Sequence, residues 1–405
     1  MMFARVLHFT LILCTISSIA SSPSAHDTHT MCKNDEQEDG TGLCNSNTLV
    51  NRKWILTNRP ADLFDAKEHA ELVEEIVDLD NIPENHVVIE MEALSVDAFI
   101  RVMLDHKTAE GDEDGKEQTN AVHGNIPIGA TIPALAIGIV RKCPSGKFAE
   151  GSRVNGLLGA QTVGVLPEEG LFSVMKIPYV KPSSSLNWLG VTGLTAYIGI
   201  HHVLDAPKKG ETVLVSAAAG ATGNIAAQLA KATGARVIGI AGGPEKKKFL
   251  METLKLDGAI DYKHPVKSVE QQLDELCPDG IDFFYDNVGG PLLDMVLERI
   301  NLHSRVVICG AISQYSNVNH GEVQGPSKYL RLAEKSSTMA GFVMMHYASK
   351  FPRAAAQLLW YYWRGQLTVH EQIEDGIETF GPALQKLFTG GNTGRLIVDI
   401  SGEMK

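Results

Sequence analysis

Thr212-Val213-Leu214-Val215-Ser216-Ala217-Ala218-Ala219-Gly220-Ala221-Thr222-Gly223 is the stretch on which the fold turns. Thr212 to Ser216 reads as a buried strand, and Ala217 to Gly223 as a tight loop of small residues. Asn224 to Thr233 then reads as a helix. Such a loop must turn sharply and let its backbone come close to a pyrophosphate, which is what glycine permits. The helix that follows offers unpaired N–H groups and the positive end of its dipole to the anion. The first glycine of the usual G-x-G-x-x-G spacing is alanine, at position 218. The reading therefore rests on the strand–loop–helix context, and an ordinary strand-to-helix turn is its plain alternative.

The next strand outward, Arg236-Val237-Ile238-Gly239-Ile240, supports the dinucleotide reading. A fold that prefers NAD places an acidic residue at the end of this strand, about 20 residues past the glycines, to hold the ribose hydroxyls. Here the positions are Ala241-Gly242-Gly243-Pro244, and Lys246, Lys247 and Lys248 follow. Taken alone, the three lysines are a solvated helix face. The missing acid and the present bases together point to NADPH, since a lysine is a good phosphate anchor. Two later strands, Asp282 to Asp286 and Arg305 to Gly310, run into Asn287-Val288-Gly289-Gly290 and Ala311-Ile312-Ser313-Gln314-Tyr315. Ligands lie beyond the carboxyl ends of parallel strands, so Asn287 and Tyr315 are placed on the nicotinamide side.

From about residue 210 apolar strands alternate with helical segments, the pattern of βαβ units and a doubly wound parallel sheet. Residues 51–180 instead carry short β-type runs such as His86 to Met91 and Leu135 to Val140. The fold class is α/β. The chain has 405 residues, 44% apolar and 21% charged, with 38 glycines and only 6% aromatics, which suits a two-domain α/β enzyme. Its net charge is −12 and it has no lysine/arginine block, so nucleic acid is not an expected partner.

The first residues stand apart from the fold. Arg5 precedes the apolar run Val6 to Ile16, and Ser17-Ser18-Ile19-Ala20-Ser21-Ser22 follows. That layout reads as a secretory signal over residues 1–22, too short to favour a membrane span. An uncleaved apolar tail, or a cytosolic product starting at Met31, stays open. Residues 23–50 are polar and read as a disordered linker, with folding from near Asn51. Cys32 and Cys44 in that linker could pair in an oxidising compartment. Cys143, Cys277 and Cys309 are far apart with apolar neighbours, and read as buried thiols. A second charged, loop-like stretch spans residues 107–116.

Collinear motifs identify a family resemblance over residues 51–405. They are Asn51-Arg52 with Arg59-Pro60, Gly193-Leu194-Thr195-Ala196-Tyr197, the glycine loop, and Ala241-Gly242-Gly243-Pro244-Glu245-Lys246. Asp286-Asn287-Val288-Gly289-Gly290, Gly310 to Tyr315, Met339 to Phe342 and Gly390-Gly391-Asn392-Thr393-Gly394 extend the series. The chain resembles the zinc-independent medium-chain reductases, specifically the prostaglandin reductases (leukotriene dehydrogenases) and their alkenal reductase relatives. The resemblance implies a GroES-like β-barrel substrate domain over 51–180, completed by 371–405, and a Rossmann domain over 181–370. It implies that Lys246 and Tyr262 bind the 2′-phosphate. Thr195, Ala219, Gly220, Thr222, Gly223, Asn287 and Asn392 are the other expected cofactor contacts. Tyr315 is expected beside the nicotinamide ribose and the substrate carbonyl, as the catalytic residue. A homodimer is compatible with the resemblance.

This sequence departs from the family's pattern in the substrate half. Relatives read Asp-Pro-Tyr-Met-Arg where this chain has Asp97-Ala98-Phe99-Ile100-Arg101, an aromatic where it has Ala160, and Gly-Met-Pro-Gly where it has Gly190-Val191-Thr192-Gly193. A zinc alcohol dehydrogenase needs thiolate, imidazole and carboxylate ligands in the first domain, and often a four-cysteine lobe. Only Cys143 lies there, and His106 and His123 have no thiolate at useful spacing, so no metal is expected. The expected activity is NADPH-dependent reduction of the conjugated C=C of α,β-unsaturated ketones or aldehydes, lipid-derived ones such as 15-oxoprostaglandins included. A quinone reductase is a close variant. A secreted dinucleotide-fold protein that binds without turnover is the other class.

Overall fold

The computed structural model describes residues 47–104, 126–315, 323 and 325–403. The signal-like segment 1–22, the linker up to residue 46, Cys14, Cys32, Cys44, His106, His123 and the charged stretch 107–116 lie outside the described residues.

The first strand, β1 (Thr48–Leu56), begins ahead of the expected start at Asn51. Backbone pairing extends it, since Thr48 lies opposite Asp78 at the far end of an antiparallel ladder with β2 (Ala70–Asp78). Five strands follow: β3 (His86–Ser95), β4 (Leu135–Lys142), β5 (Arg153–Leu157), β6 (Val163–Pro167) and β7 (Phe172–Ser173). β3 is buried along almost its whole length because it pairs antiparallel with both β4 and β6. Leu56, Ile89, Met91, Leu94, Ala136, Val154 and Phe380 belong to the core beneath this sheet.

The glycine loop opens the second half. β8 (Thr212–Val215), β9 (Arg236–Ala241), β10 (Gly258–Asp261), β11 (Ile281–Asp286), β12 (Ile300–Ile308) and β13 (Thr338–Gly341) form one sheet of parallel pairs. Their order is β10-β9-β8-β11-β12-β13, the doubly wound Rossmann arrangement. Such a sheet is covered on both faces, so its strands are continuously apolar. Neighbours on one strand feed opposite cores. Phe283 and Tyr285 pack with the helices Val191–His201, Ala221–Ala232 and Phe351–Trp363. Phe284 packs with Leu273, Leu293 and Val296 on the other side. Strand order reverses between β8 and β11, and the crevice at their carboxyl ends is where this fold receives ligands.

The chain then returns to the first sheet. β14 (Glu371–Asp375) pairs with β15 (Arg395–Asp399), and β15 pairs antiparallel with β3, completing an order β14-β15-β3-β4-β5-β7 with β6 on β3. A buried ion pair secures the return. The Arg395 Nη1 donates to Asp97 Oδ1 at 2.7 Å and Nη2 to Asp97 Oδ2 at 3.0 Å. Both residues are buried, so neither charge has water to replace its partner. Arg395→Met is expected to lower the unfolding free energy by about 3–5 kcal/mol, because Asp97 is left as an unpaired buried charge. Arg395→Met combined with Asp97→Leu should recover most of the loss. Urea titrations of the three variants check this; an unchanged Arg395→Met midpoint would refute it.

Candidate active site

Sequence and backbone geometry agree closely in the loop after β8. Ala217 takes a left-handed conformation, φ 47°, and its carbonyl accepts the Gly220 N–H at 2.9 Å. The helix starts at Ala221, three residues before the expected Asn224. It can do so because Gly223 has no side chain: a Cβ there would lie 2.3 Å from the Ala217 carbonyl oxygen. Alanine is accommodated at 218 because its neighbour across β9 is Gly239, whose added Cβ would stand 2.9 Å from that of Ala218. Gly220 caps the helix without a side-chain hydrogen bond, so its first N–H groups are left for an anion. The chain returning to the first sheet closes over this loop. The Gly394 N–H donates to the Ala219 carbonyl at 2.7 Å, and Asn392, buried, donates from Nδ2 to the Gly394 carbonyl at 3.3 Å. Ala219, Gly220, Thr222, Gly223 and Asn392 are thus brought together.

A cationic corner forms at the ends of β9 and β10. An added Cβ at Gly390 would meet the Tyr262 hydroxyl at 3.4 Å, Lys263 Nζ at 3.8 Å and Lys246 Nζ at 4.0 Å. Three polar groups from two strand ends therefore face one glycine of the returning loop. Burial, and then the charge of Lys263, lower the pKa of the Lys246 ammonium below its ordinary value. Two like charges and a phenol suit a doubly charged anion such as a phosphate monoester. Gly242 must be glycine, since a Cβ would come within 2.5 Å of the Tyr262 ring. The Asp261 carboxylate shapes the corner by accepting the Gly243 N–H at 2.6 Å and the Lys263 N–H at 2.9 Å. Sequence reasoning found Lys246 and Tyr262 but missed Lys263. Its nearness follows from the pairing of Asp261 with Ala241, which local pattern does not announce.

The other end of the crevice is built from the loops after β11 and β12. Asn287 donates from Nδ2 to the Ser216 carbonyl at 2.7 Å and from its backbone N–H to Ser216 Oγ at 2.7 Å. Its side-chain amine therefore holds the cofactor loop's root. Asp286 is fully buried and accepts from Ser216 Oγ at 2.8 Å, from the Val288 N–H at 2.9 Å and from the Gly289 N–H at 3.1 Å. Burial pushes its carboxyl above the usual range, against those three donors. Thr195 is half-buried, and its carbonyl accepts from the Tyr285 hydroxyl at 3.3 Å. Tyr315 follows a single helical turn, Ile312–Gln314, and its oxygen folds back to accept the Ala311 N–H at 3.4 Å. A Cβ at Gly310 would lie 2.7 Å from that phenol oxygen, so glycine clears the approach. Burial raises the Tyr315 pKa, which keeps the proton on the phenol.

Cys143 lies 3.5 Å from Glu168 Oε1 and from Ser145 Oγ, away from both corners. Among the described residues no group of three or more His, Cys, Asp or Glu side chains could hold a metal ion.

A glycine loop at a Rossmann switch point, closed by a second, largely antiparallel domain, defines a two-domain dinucleotide-binding protein. A family model described as "Zinc-binding dehydrogenase" matches residues 221–360. A tobacco (Nicotiana tabacum) NADP(+)-dependent 2-alkenal reductase is 34% identical, over 80% of this chain and 90% of that protein. Prostaglandin reductase 1 of Mus musculus is 34% identical, over 77% of this chain and 88% of its own. The crystal structure of CurA from Vibrio vulnificus in complex with NADPH superposes with a TM-score of 0.75 at 28% identity, covering 86% of this chain and 99% of CurA. The chain belongs to the zinc-independent medium-chain dehydrogenase/reductase family.

Two thiols of the Rossmann half, Cys309 after β12 and Cys277 ahead of β11, are expected to react slowly. Burial pushes Cys309, beside the Tyr285 hydroxyl, up to about 12, and Cys277 up to about 11. Little of either is thiolate at pH 8, so alkylation by iodoacetamide should run at least about a hundredfold slower than for a free thiol. Unfolding in urea should remove the difference. Peptide mapping after a timed exposure checks this, and rapid labelling of Cys309 in the native protein would contradict it.

Proposed function

We propose that this protein is an NADPH-dependent reductase of the conjugated C=C bond in α,β-unsaturated ketones and aldehydes. The observation that carries the reading is Tyr315: a protonated, half-buried phenol at the carboxyl end of β12, across the crevice from the cofactor loop. The family membership and the names of the relatives support it. So does the Lys246–Tyr262–Lys263 corner, which suits a 2′-phosphate and has no acidic residue at the end of β9 to repel one.

Bound NADPH supplies a hydride to the β-carbon of the conjugated carbonyl. Negative charge would then gather on the carbonyl oxygen as an enolate, which takes a solvent proton at the α-carbon to complete the reduction, and catalysis needs a donor aimed at that oxygen. The Tyr315 oxygen already accepts the Ala311 N–H, which leaves its own proton to donate. That N–H also polarises the phenol as charge develops. The helix N-terminus at Ala221 and the corner at Lys246 would hold the phosphates, while Asn392 and Gly394 close the cleft from the other domain. The apolar departures at Ala98, Phe99, Ala160 and Val191 concern substrate choice rather than this chemistry.

Tyr315→Phe removes the donor and keeps the ring. Turnover is expected to fall about ten- to a thousandfold with NADPH affinity unchanged. Because burial raises this phenol's pKa, the wild-type rate should stay flat with pH until above about 9. Enone, enal, 15-oxoprostaglandin and quinone panels, read by NADPH consumption, test the substrate class. Turnover of quinones alone would move the assignment to quinone reduction, and none with any substrate would leave a binding protein.

Lys246→Ala should raise the NADPH Michaelis constant about ten- to a hundredfold and leave NADH use nearly unchanged, the loss of one charge-assisted phosphate contact. Equal losses with both cofactors would show a folding defect instead.

A further inference from the structure

Tyr315 is mounted on a segment too short to hold itself. The turn Ile312–Gln314 is three residues long, and no side chain caps it. Its position comes from another loop. The Asp286 carbonyl accepts the N–H groups of Cys309 at 2.8 Å and Gly310 at 3.1 Å. The Asn287 carbonyl accepts the Ile312 N–H at 3.1 Å. The Val288 carbonyl accepts the Ser313 N–H at 3.2 Å and the Ser313 hydroxyl at 2.6 Å. Gly289 completes the fit, since a Cβ there would press on the Ala311 methyl at 3.0 Å.

That clamp is itself fastened at one residue, Ser216, whose N–H also donates to the Tyr285 carbonyl at 3.1 Å. Ser216 Oγ donates to Asp286 Oδ1 and accepts the Asn287 N–H, while the Ser216 carbonyl receives the Asn287 side chain. Ser216 and Asp286 are both fully buried, so water does not compete for these bonds. Ser216 is also the residue directly before Ala217, where the cofactor loop begins. One side chain therefore joins the loop that would hold the dinucleotide to the loop that carries the phenol.

We propose that Ser216 and Asp286 are positioning residues that set the Tyr315 phenol in register with the cofactor loop. The inference rests on the proposed role of Tyr315. A hydride acceptor and its proton donor must be aligned to a fraction of an ångström, and a shift of about 1 Å costs roughly a hundredfold. Loss of the Ser216 hydroxyl leaves the Asp286 carboxylate and the Asn287 N–H each one partner short, and the clamp free to shift.

The test is a double-mutant cycle on the hydride-transfer step, followed as single-turnover NADPH loss with a 2-alkenal. Ser216→Ala is expected to slow this step about tenfold in the wild-type background and to have no further effect in Tyr315→Phe. NADPH affinity, read by fluorescence titration, should move less than about twofold. Ser313→Ala, at the exposed end of the clamp where folding is not at stake, should slow the step about threefold and likewise lose its effect in Tyr315→Phe. Asp286→Asn should behave as Ser216→Ala. If Tyr315→Phe is slow and the Ser216 and Ser313 substitutions multiply with it, or leave the rate untouched, the coupling is wrong. If Tyr315→Phe itself keeps the full rate, it is the reading of Tyr315 that fails.

Discussion

The absence of one methyl group governs this molecule. At Gly223 the Ala221–Ala232 helix passes so close to the Ala217 carbonyl that any side chain would lie 2.3 Å from it. That contact lets the helix start directly after the end of β8, with no side chain capping its first turn. Everything else at the site is arranged around this helix end. Ala217 takes a left-handed conformation to reach it, and Gly239 makes room for Ala218 beside it. The returning chain meets it through Gly394 and Ala219. A larger residue at 223 would push the helix away from β8 and break each of these relations together.

Polar contacts between residues distant in sequence fix the course of the returning chain. Gln228, on the same helix, exchanges hydrogen bonds with the backbone of Thr368: its Nε2 donates to the carbonyl at 3.1 Å and its Oε1 accepts the N–H at 2.7 Å. Asn187 donates to Glu371 at 3.1 Å, beside the start of β14. The buried Arg395–Asp97 pair lies beside the register of β15 against β3. Buried charge of this kind adds little net stability, yet mispairing it is costly, and that cost selects one register. Asn392 and Gly394 precede that ion pair immediately, so the register of β15 also sets where the returning chain meets the glycine loop.

Electrostatics divide the crevice into unlike ends. At the β9–β10 end two ammonium groups and a phenol converge where no acidic side chain terminates β9. At the β11–β12 end the ionisable groups are kept neutral or satisfied. Burial holds protons on Tyr315 and Cys309, and three donors surround the Asp286 carboxylate. One end is suited to a highly charged anion and the other to a carbonyl whose charge appears only during reaction. The same sheet supplies both, because parallel strands deliver all their carboxyl ends to one edge.

How much of this was legible beforehand follows from the range of the forces involved. Strand and helix periodicity, the glycine loop and the missing acid after β9 are local features, so the residues from 212 to 248 disclosed the sheet, the crevice and the kind of ligand by themselves. Lys246 and Tyr262 were named with the help of family motifs, and Tyr315 by its place after a strand. The sequence did not disclose Lys263 beside Lys246, the Asn287 amide turned onto Ser216 rather than outward, or the earlier starts at Thr48 and Ala221. Each of these depends on partners distant in the chain: the β9–β10 register, a backbone carbonyl 71 positions away, the ladder to Asp78 and the carbonyl of Ala217. Composition and spacing determine which segments can form strands, turns and helices. Which polar groups face one another is decided only when packing brings the strand ends together, because a hydrogen bond acts over about 3 Å and carries no mark in the local pattern.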